Sequence, residues 1–233
     1  KKLEQQIKNQ AQSEKMSSLG LLSAGVAHEI NSPLTNASLN MQMLRSQFNT
    51  TLNDKKIQKK LDAVDRNIER ASIIAKELLQ FSQTQEAMLY PMDIDQVLDS
   101  AIAQLKNKLS RFKVVRLQEN LPEVKLNAAK LEQVFLNVIN NSIEAMENSG
   151  ELLIKTSQVK DKIQILISDH GTGIAQKNLA KVFDPFFTTK ETKKGTGLGL
   201  SICHGIIEQH GGTITLKNHK WGGVDTTINL PIP

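Results

Sequence analysis

The stretch "VAHEINSPLTNASLNMQMLRSQF", Val26 to Phe48, sets the architecture of the first third of the chain. Its apolar residues Val26, Ile30, Leu34, Ala37, Met41, Leu44 and Phe48 step by four, four, three, four, three and four. That is a heptad-like seam, the stripe a helix buries when it lies along another helix. Leu19 and Leu22 hold the same phase upstream. The polar, turn-prone "NTTLND" (Asn49 to Asp54) ends the arm, and a second seam follows through Leu61, Val64, Ile68, Ala71, Ala75 and Leu78. Two striped arms predict an antiparallel helical hairpin. One hairpin buries a thin core, whereas two pack as a four-helix bundle and bury far more, so a homodimer is expected through this part.

On the first arm, His28 lies about 200° around the helix from Val26 and from Ile30 and is expected in solvent. A lone surface histidine ordinarily means nothing. Here Glu29 can hydrogen-bond an imidazole N–H or take its proton, and Ser23, Ala24, Gly25 and Ala27 clear space on the N-terminal side. Pro33 leaves the carbonyl of residue 29 without its helical donor and can bend the helix. Signals arriving along residues 1–22 could then expose or hide the ring. An exposed neutral imidazole is a competent nucleophile near neutral pH. A metal site would need further ligands at helical spacing, and this segment has none.

Composition narrows the class. The chain has 233 residues, 39% hydrophobic and 23% charged, as in a globular protein. Aromatics are only 4%, which argues against a base-stacking surface. The net charge of +5 suits an anionic ligand, but the lysines are spread along the chain, so direct nucleic-acid binding is not expected. The single cysteine, Cys203, excludes an internal disulfide. No apolar run approaches the roughly 18–20 residues that span a bilayer. The start at "KKLEQQ", without methionine, leads us to expect a soluble piece of a longer protein.

After "SQTQEAMLYP" (Ser82 to Pro91), read as a linker, the periodicity changes. "MDIDQVLDSAIAQLKNKL" and "AAKLEQVFLNVINNSIEAM" read as helices, and "KVVRLQ", "EVKLN", "ELLIKTSQV" and "KIQILISD" as strands. "GLGLSICHGIIEQH" reads as helix, and "GTITLKN" and "TTINLPI" as strands. Helices interleaved with antiparallel-looking strand pairs predict an α+β two-layer sandwich. The expected division is a helical signalling linker over 1–14, a hairpin domain over 15–88 and the sandwich over 89–233.

Four segments of the sandwich carry chemistry. Asn137 and Asn141 share a helix face, and two neutral oxygens at this spacing can hold a hard cation with its waters, although such amides ordinarily cap or face water. "SDHGTGI" puts Asp169 at a strand end before Gly171 and Gly173, where a carboxylate can accept from an exocyclic amine and a flat ring can approach the backbone. "GTGLGLSI" opens a helix with Gly195, Gly197 and Gly199, whose free N–H groups can face an anion, or which form a tight structural turn. "DPFFTTKETKKGTG" carries Lys190, Lys193 and Lys194, as in a mobile lid over phosphates or a solvated loop.

In this order, the segments resemble the sensor histidine kinases of two-component systems, and the resemblance covers essentially the whole chain. "HEINSP" resembles the H box, "LNVINNSIEAM" the N box, "DHGTGI" the G1 box, "DPFFTTK" the F box and "GTGLGLSI" the G2 box. The resemblance implies a dimeric phosphotransfer bundle joined to an ATP-binding domain of the gyrase, heat-shock and histidine-kinase type. It implies that His28 accepts phosphate and that Glu29 orients it and removes its proton. It implies Asn141 as the Mg²⁺ ligand with Asn137 near the phosphates, Asp169 on the adenine amine, and Gly171 and Gly173 around the base. Phe186 and Phe187 would anchor the lid, with Lys190 beside the nucleotide, and Gly195, Thr196, Gly197, Leu198 and Gly199 would line the phosphates. The implied cofactors are ATP and Mg²⁺. The implied partners are a second copy and the receiver domain of a response regulator, with a membrane reached only through a missing N-terminal sensor portion, which makes this the cytoplasmic part of a membrane-associated sensor.

Three positions depart from the family pattern. His170 replaces the more usual asparagine. Glu144 stands where many members carry a basic residue facing phosphate, a charge Lys190 can supply instead. Ser32, four beyond His28, replaces Thr or Asn at the position that places water for removing phosphate from the regulator. The residues alone leave open an ATP-hydrolysing clamp of the same superfamily, which would leave "HEINSP" idle, and a non-catalytic dimeric scaffold. Cys203 and Trp221 read as packing residues, and His204 and His210 as helix-surface or capping residues.

Overall fold

A computed structural model describes Ile30 and residues 34–46, 55–82, 88–190, 196–219 and 222–232. His28, Glu29, Ser32, Pro33, the turn over 49–54, Lys193, Lys194, Gly195 and Trp221 lie outside the described residues. The chain divides into two compact units, Lys1–Gln85 and Glu86–Pro233. No helix among the described residues is long and apolar enough to cross a membrane.

The first unit contains α1 (34–46) and α2 (Lys55–Ser82). Arg45, near the end of α1, donates from Nη2 to Asp62 Oδ1 at 2.8 Å and Asp65 Oδ2 at 2.7 Å in the first half of α2. The two arms therefore meet as a hairpin. Met41 and Ala75, one from each seam, are buried. Ile30, Leu44 and Val64 also belong to the seams but are exposed, as are Leu39, Met43 and Ile73. One hairpin leaves much of its apolar surface uncovered.

In the second unit a five-stranded sheet runs in the order β2-β4-β5-β7-β6, with β2 Lys113–Gln118, β4 Glu151–Val159, β5 Lys162–Asp169, β6 Thr213–Asn218 and β7 Val224–Pro231. Ile163, Ile165 and Ile167 of β5 and Leu152 and Ile154 of β4 are fully buried, the period of two placing them on the face that helices cover. That layer is α3 (Ile94–Gln104), α5 (Ala128–Ala145) and α7 (Gly199–Gln209), with α5 packed between the other two. Helix α5 buries Leu131, Val134, Phe135, Val138, Ile139 and Ser142, a stripe of period 3.6. Its N-cap Asn127 accepts from the Lys130 N–H. Short helices α4 (Lys106–Leu109) and α6 (Gln176–Leu179) complete the set.

The layers are also tied by charge. Arg116 of β2 bonds Asp95 of α3 through Nη2, and Thr156 of β4 donates to the same Asp95 Oδ1 at 2.9 Å. The Arg116 and Asp95 side chains are only 17% and 15% exposed.

Three features differ from the sequence expectation. Tyr90–Met92, at the junction of the expected linker (Ser82 to Pro91) and the expected helix from Met92, forms β1, which pairs antiparallel with β3 (Val124–Leu126). Three residues carry no alternation of their own, so the strand exists by virtue of its remote partner. Strand β2 pairs parallel with β4, because the connection crosses over through α5 rather than turning back directly. The helix expected over 92–109 breaks at Leu105, whose N–H bonds back to both Ala101 and Ile102 and whose side chain is buried.

Candidate active site

Helix α5 is the spine of the site. Asn137, Asn141 and Ala145 are four apart, so they share one face and span about 12 Å along the axis. Each meets a different loop. Asn137 Nδ2 donates to the Gly199 carbonyl at 3.4 Å, at the start of α7. Asn141 Oδ1 accepts from Lys190 Nζ at 2.8 Å. The Ala145 carbonyl accepts from the Thr172 N–H at 3.2 Å, and a Cβ on Gly171 would come within 2.7 Å of the Ala145 Cβ. Asn140 turns away, to Lys108 and to the Leu136 carbonyl.

Asp169 ends β5 and is only 4% exposed. Its Oδ1 accepts from the backbone N–H groups of Gly171 at 2.9 Å and Val224 at 3.2 Å. Both bonds come from main chain and both fall on one oxygen, which leaves Oδ2 for a ligand donor. Gly223 permits this arrangement: at φ +96 it brings the β6–β7 turn so near that a Cβ there would lie 1.9 Å from the Asp169 carbonyl oxygen. Beyond Gly173, Asn218 of β6 clamps the loop, its Oδ1 accepting from the Ile174 N–H at 2.8 Å and its Nδ2 donating to the Ile174 carbonyl at 2.5 Å. His170 turns to the Glu151 carbonyl at 3.2 Å and stands edge-on to His219, with ring centroids 5.5 Å apart.

At the Asn137 end, α7 begins at Gly199 with Leu198 as its N-cap and no side chain capping it, so first-turn N–H groups remain for an anion. Leu198 itself is fully buried, and Thr196 Oγ1 accepts from the Leu198 N–H at 3.4 Å. Gly197, at φ +75, lies flush against Phe186: a Cβ would be 2.4 Å from the Phe186 carbonyl carbon. Phe186 itself sits at φ 64 with an exposed ring, and the Phe187 N–H bonds to the Asp184 carbonyl at 3.1 Å. The segment holding Phe187 and the glycine loop are thus in main-chain contact.

Lys190 Nζ also reaches Glu144 Oε2 at 2.5 Å. An ammonium already rests on the Asn141 amide oxygen, so that oxygen is placed to hold a cation. Among the described residues no trio of His, Cys, Asp or Glu gathers for a metal. A cleft of about 490 Å³ lined by Asp99, Ile102, Ala103 and Lys106 involves none of these segments.

The structure brings Asn137, Asn141, Gly171, Lys190 and Gly199 onto one helix face and joins Asp169, Gly173, Thr196, Gly197 and Leu198 to the flanking loops. His28, Glu29, Ser32 and Gly195 fall outside the described residues. Sequence reading missed Asn218 and Gly223. Asn218 gave no signal, whereas "WGGVD" marked a turn without indicating which carboxylate it would cage.

Two family models match this chain: the His Kinase A (phospho-acceptor) domain over residues 18–87 and the histidine kinase-, DNA gyrase B-, and HSP90-like ATPase over residues 126–233. The chain belongs to the sensor histidine kinases. Among curated members of that family it is 33% identical to the signal transduction histidine-protein kinase AtoS of Escherichia coli (strain K12), over 95% of this chain and 36% of AtoS. It is 30% identical to sporulation kinase C of Bacillus subtilis (strain 168), over 95% of this chain and 51% of that kinase. This histidine kinase sequence therefore spans about a third to a half of those relatives. Among solved structures, histidine kinase ThkA in complex with the response regulator TrrA superposes with a TM-score of 0.69 at 25% identity, covering 100% of this chain and 67% of ThkA. Full-length ShkA in complex with AMPPNP shares the fold, with a TM-score of 0.72 at 22% identity over 90% of this chain and 45% of ShkA.

Proposed function

We propose that this histidine kinase uses ATP to phosphorylate His28 and passes the phosphoryl group to an aspartate on a response-regulator receiver domain. The observation that carries the reading is the face of α5. Its Ala145 end abuts the loop of the caged carboxylate Asp169, and its Asn137 end abuts the uncapped start of α7. About 12 Å separates the two ends, which suits a base at one and a triphosphate tail at the other.

Asp169 Oδ2 accepts from the adenine amine, and Gly171 and Gly173 let the ring lie against main chain. The first-turn N–H groups of α7, with Gly195, Thr196, Gly197, Leu198 and Gly199, hold the phosphates. Asn141 would hold Mg²⁺, which when bound would supply charge neutralisation to the polyphosphate. Lys190 adds positive charge. The His28 ring nitrogen bonds to the γ-phosphorus as the bond to the ADP oxygen breaks, and Glu29 takes the proton from the other ring nitrogen. The protein contributes positioning and electrostatics, as phosphoryl transfer requires. Transfer to a regulator follows the association that ThkA shows with TrrA. Ser32 positions water for dephosphorylating that regulator.

Residues 15–88 form the dimerisation and phosphotransfer domain, 89–233 the catalytic domain and 1–14 the signalling linker. The exposed Ile30, Leu39, Met43, Leu44, Val64 and Ile73 support pairing of two hairpins. A membrane connection would come through an N-terminal sensor portion.

The test is incubation with γ-labelled ATP. Wild type takes up acid-labile, base-stable label; His28→Ala takes up none while still binding nucleotide. Label on Ser or Thr, or phosphate released only to water, overturns the assignment.

A further inference from the structure

Asn141 and Glu144 are three residues apart on α5 and both bond one ammonium, Lys190 Nζ, at 2.8 and 2.5 Å. Lys190 enters from the loop between α6 and α7, with its own N–H bonded to Thr188 Oγ1 at 3.1 Å, so its backbone is braced for this reach. The lysine side chain is half-buried. It therefore does more than decorate a surface: a carboxylate on the same helix face holds it against the amide oxygen.

We propose that the Lys190 ammonium is a built-in cation that occupies the Asn141 oxygen in the nucleotide-free protein, with Glu144 as its positioning carboxylate, and yields that oxygen when metal-bound nucleotide enters. The inference rests on the reading of Asn141 as the metal-bearing amide. A divalent ion bonded to Oδ1 and an ammonium at hydrogen-bond distance from the same atom would be two cations crowded on one oxygen, with strong mutual repulsion. Occupancy is thus exclusive. Lys190 leaves Asn141 but has two places to go: it can stay on Glu144, or turn to a phosphate oxygen. Glu144 and the nucleotide compete for it, which explains how an acidic residue is tolerated where a phosphate-facing basic residue is usual.

Exchange predicts a pattern that ordinary phosphate binding does not. Without metal, Lys190 is the local counter-charge for the phosphates; with metal, it is a competitor for Asn141. ADP binding is measured by calorimetry on wild type, Lys190→Met, Lys190→Arg and Glu144→Gln, once with Mg²⁺ and once with a chelator. In Lys190→Met, metal-free ADP weakens about tenfold while MgADP changes less than threefold, so the metal enhancement grows. Lys190→Arg keeps the wild-type enhancement. In Glu144→Gln, the freed ammonium tightens metal-free ADP and the enhancement shrinks. Equal weakening of ADP and MgADP in Lys190→Met overturns the exchange and leaves the kinase reading intact. Failure of wild type to bind ADP in either medium overturns the kinase reading, and the exchange with it. Thermal melts within a few degrees of wild type confirm that each variant is folded.

Discussion

The backbone N–H of Asn127 donates to Nε2 of His210 at 3.0 Å, while the His210 Nδ1–H donates to the Ile206 carbonyl at 2.7 Å. One neutral imidazole thereby joins the N-cap of α5 to the C-cap of α7, the two helices that carry the amide pair and the glycine loop. The tautomer is dictated by its partners: Nδ1 faces an acceptor and Nε2 faces a donor.

This junction makes the catalytic unit acid-sensitive. Burial pushes the His210 imidazole below its usual value of 6.5, with the Ile206 carbonyl opposing weakly. Below that value the unfolded chain binds a proton that the folded chain refuses, so stability falls as pH drops and is retained above it. A protonated ring would also point an N–H at the Asn127 N–H. Thermal melts from roughly pH 7.5 to pH 5.5 should show a falling midpoint. His210→Gln should flatten that dependence at the cost of about 1–3 kcal/mol at neutral pH. An unchanged slope in the variant would remove His210 as the cause.

Asp169→Asn separates recognition from folding. The asparagine oxygen can still accept from Gly171 and Val224, so the melting midpoint should shift little. If Asp169 holds the adenine amine as proposed, the new NH₂ group would meet it donor against donor. Nucleotide affinity should drop about a hundredfold, near the upper end for a charge-assisted hydrogen bond. Fluorescent-nucleotide titration measures it.

Arg116→Met should be strongly destabilising, because it leaves Asp95 largely buried with only Thr156 to satisfy it. The expected cost is about 3 kcal/mol in urea unfolding. Adding Asp95→Leu should recover much of that loss, since two apolar side chains replace a broken ion pair.

Cys203 should be unreactive in the folded protein. It is fully buried on α7 with Sγ 3.9 Å from the Val134 carbonyl, and burial pushes its thiol up to about 12. Iodoacetamide near pH 8 should modify it only as denaturant opens the unit. Rapid labelling of native protein would contradict this packing.

Local regularity carried most of the fold into the sequence. Ile163, Ile165 and Ile167 alternate, and β5 runs over the segment read from them; the stripe from Leu131 to Ser142 likewise marks α5. What local reading could not supply is pairing at long range. Tyr90–Met92 becomes a strand only opposite Val124–Leu126, and the parallel register of β2 on β4 depends on where α5 returns the chain. The site divides in the same way. Asp169, Asn137, Asn141 and the glycines stand in short motifs that reveal their type. Asn218 and Gly223 act on residues 44 and more than 50 positions away, through a turn whose composition says nothing of its target. Their roles follow from topology rather than from neighbours in the chain.

The caging of Asp169 by main-chain amides has a pharmacological corollary. Were the carboxylate oriented by side chains, changes in those side chains could rotate it and spoil the fit of a competitive inhibitor. Amides from Gly171 and Val224 persist through almost any substitution that lets the loop fold. A compound donating to this acid would thus find few escape routes short of losing the acid, and with it the nucleotide contact proposed for Asp169.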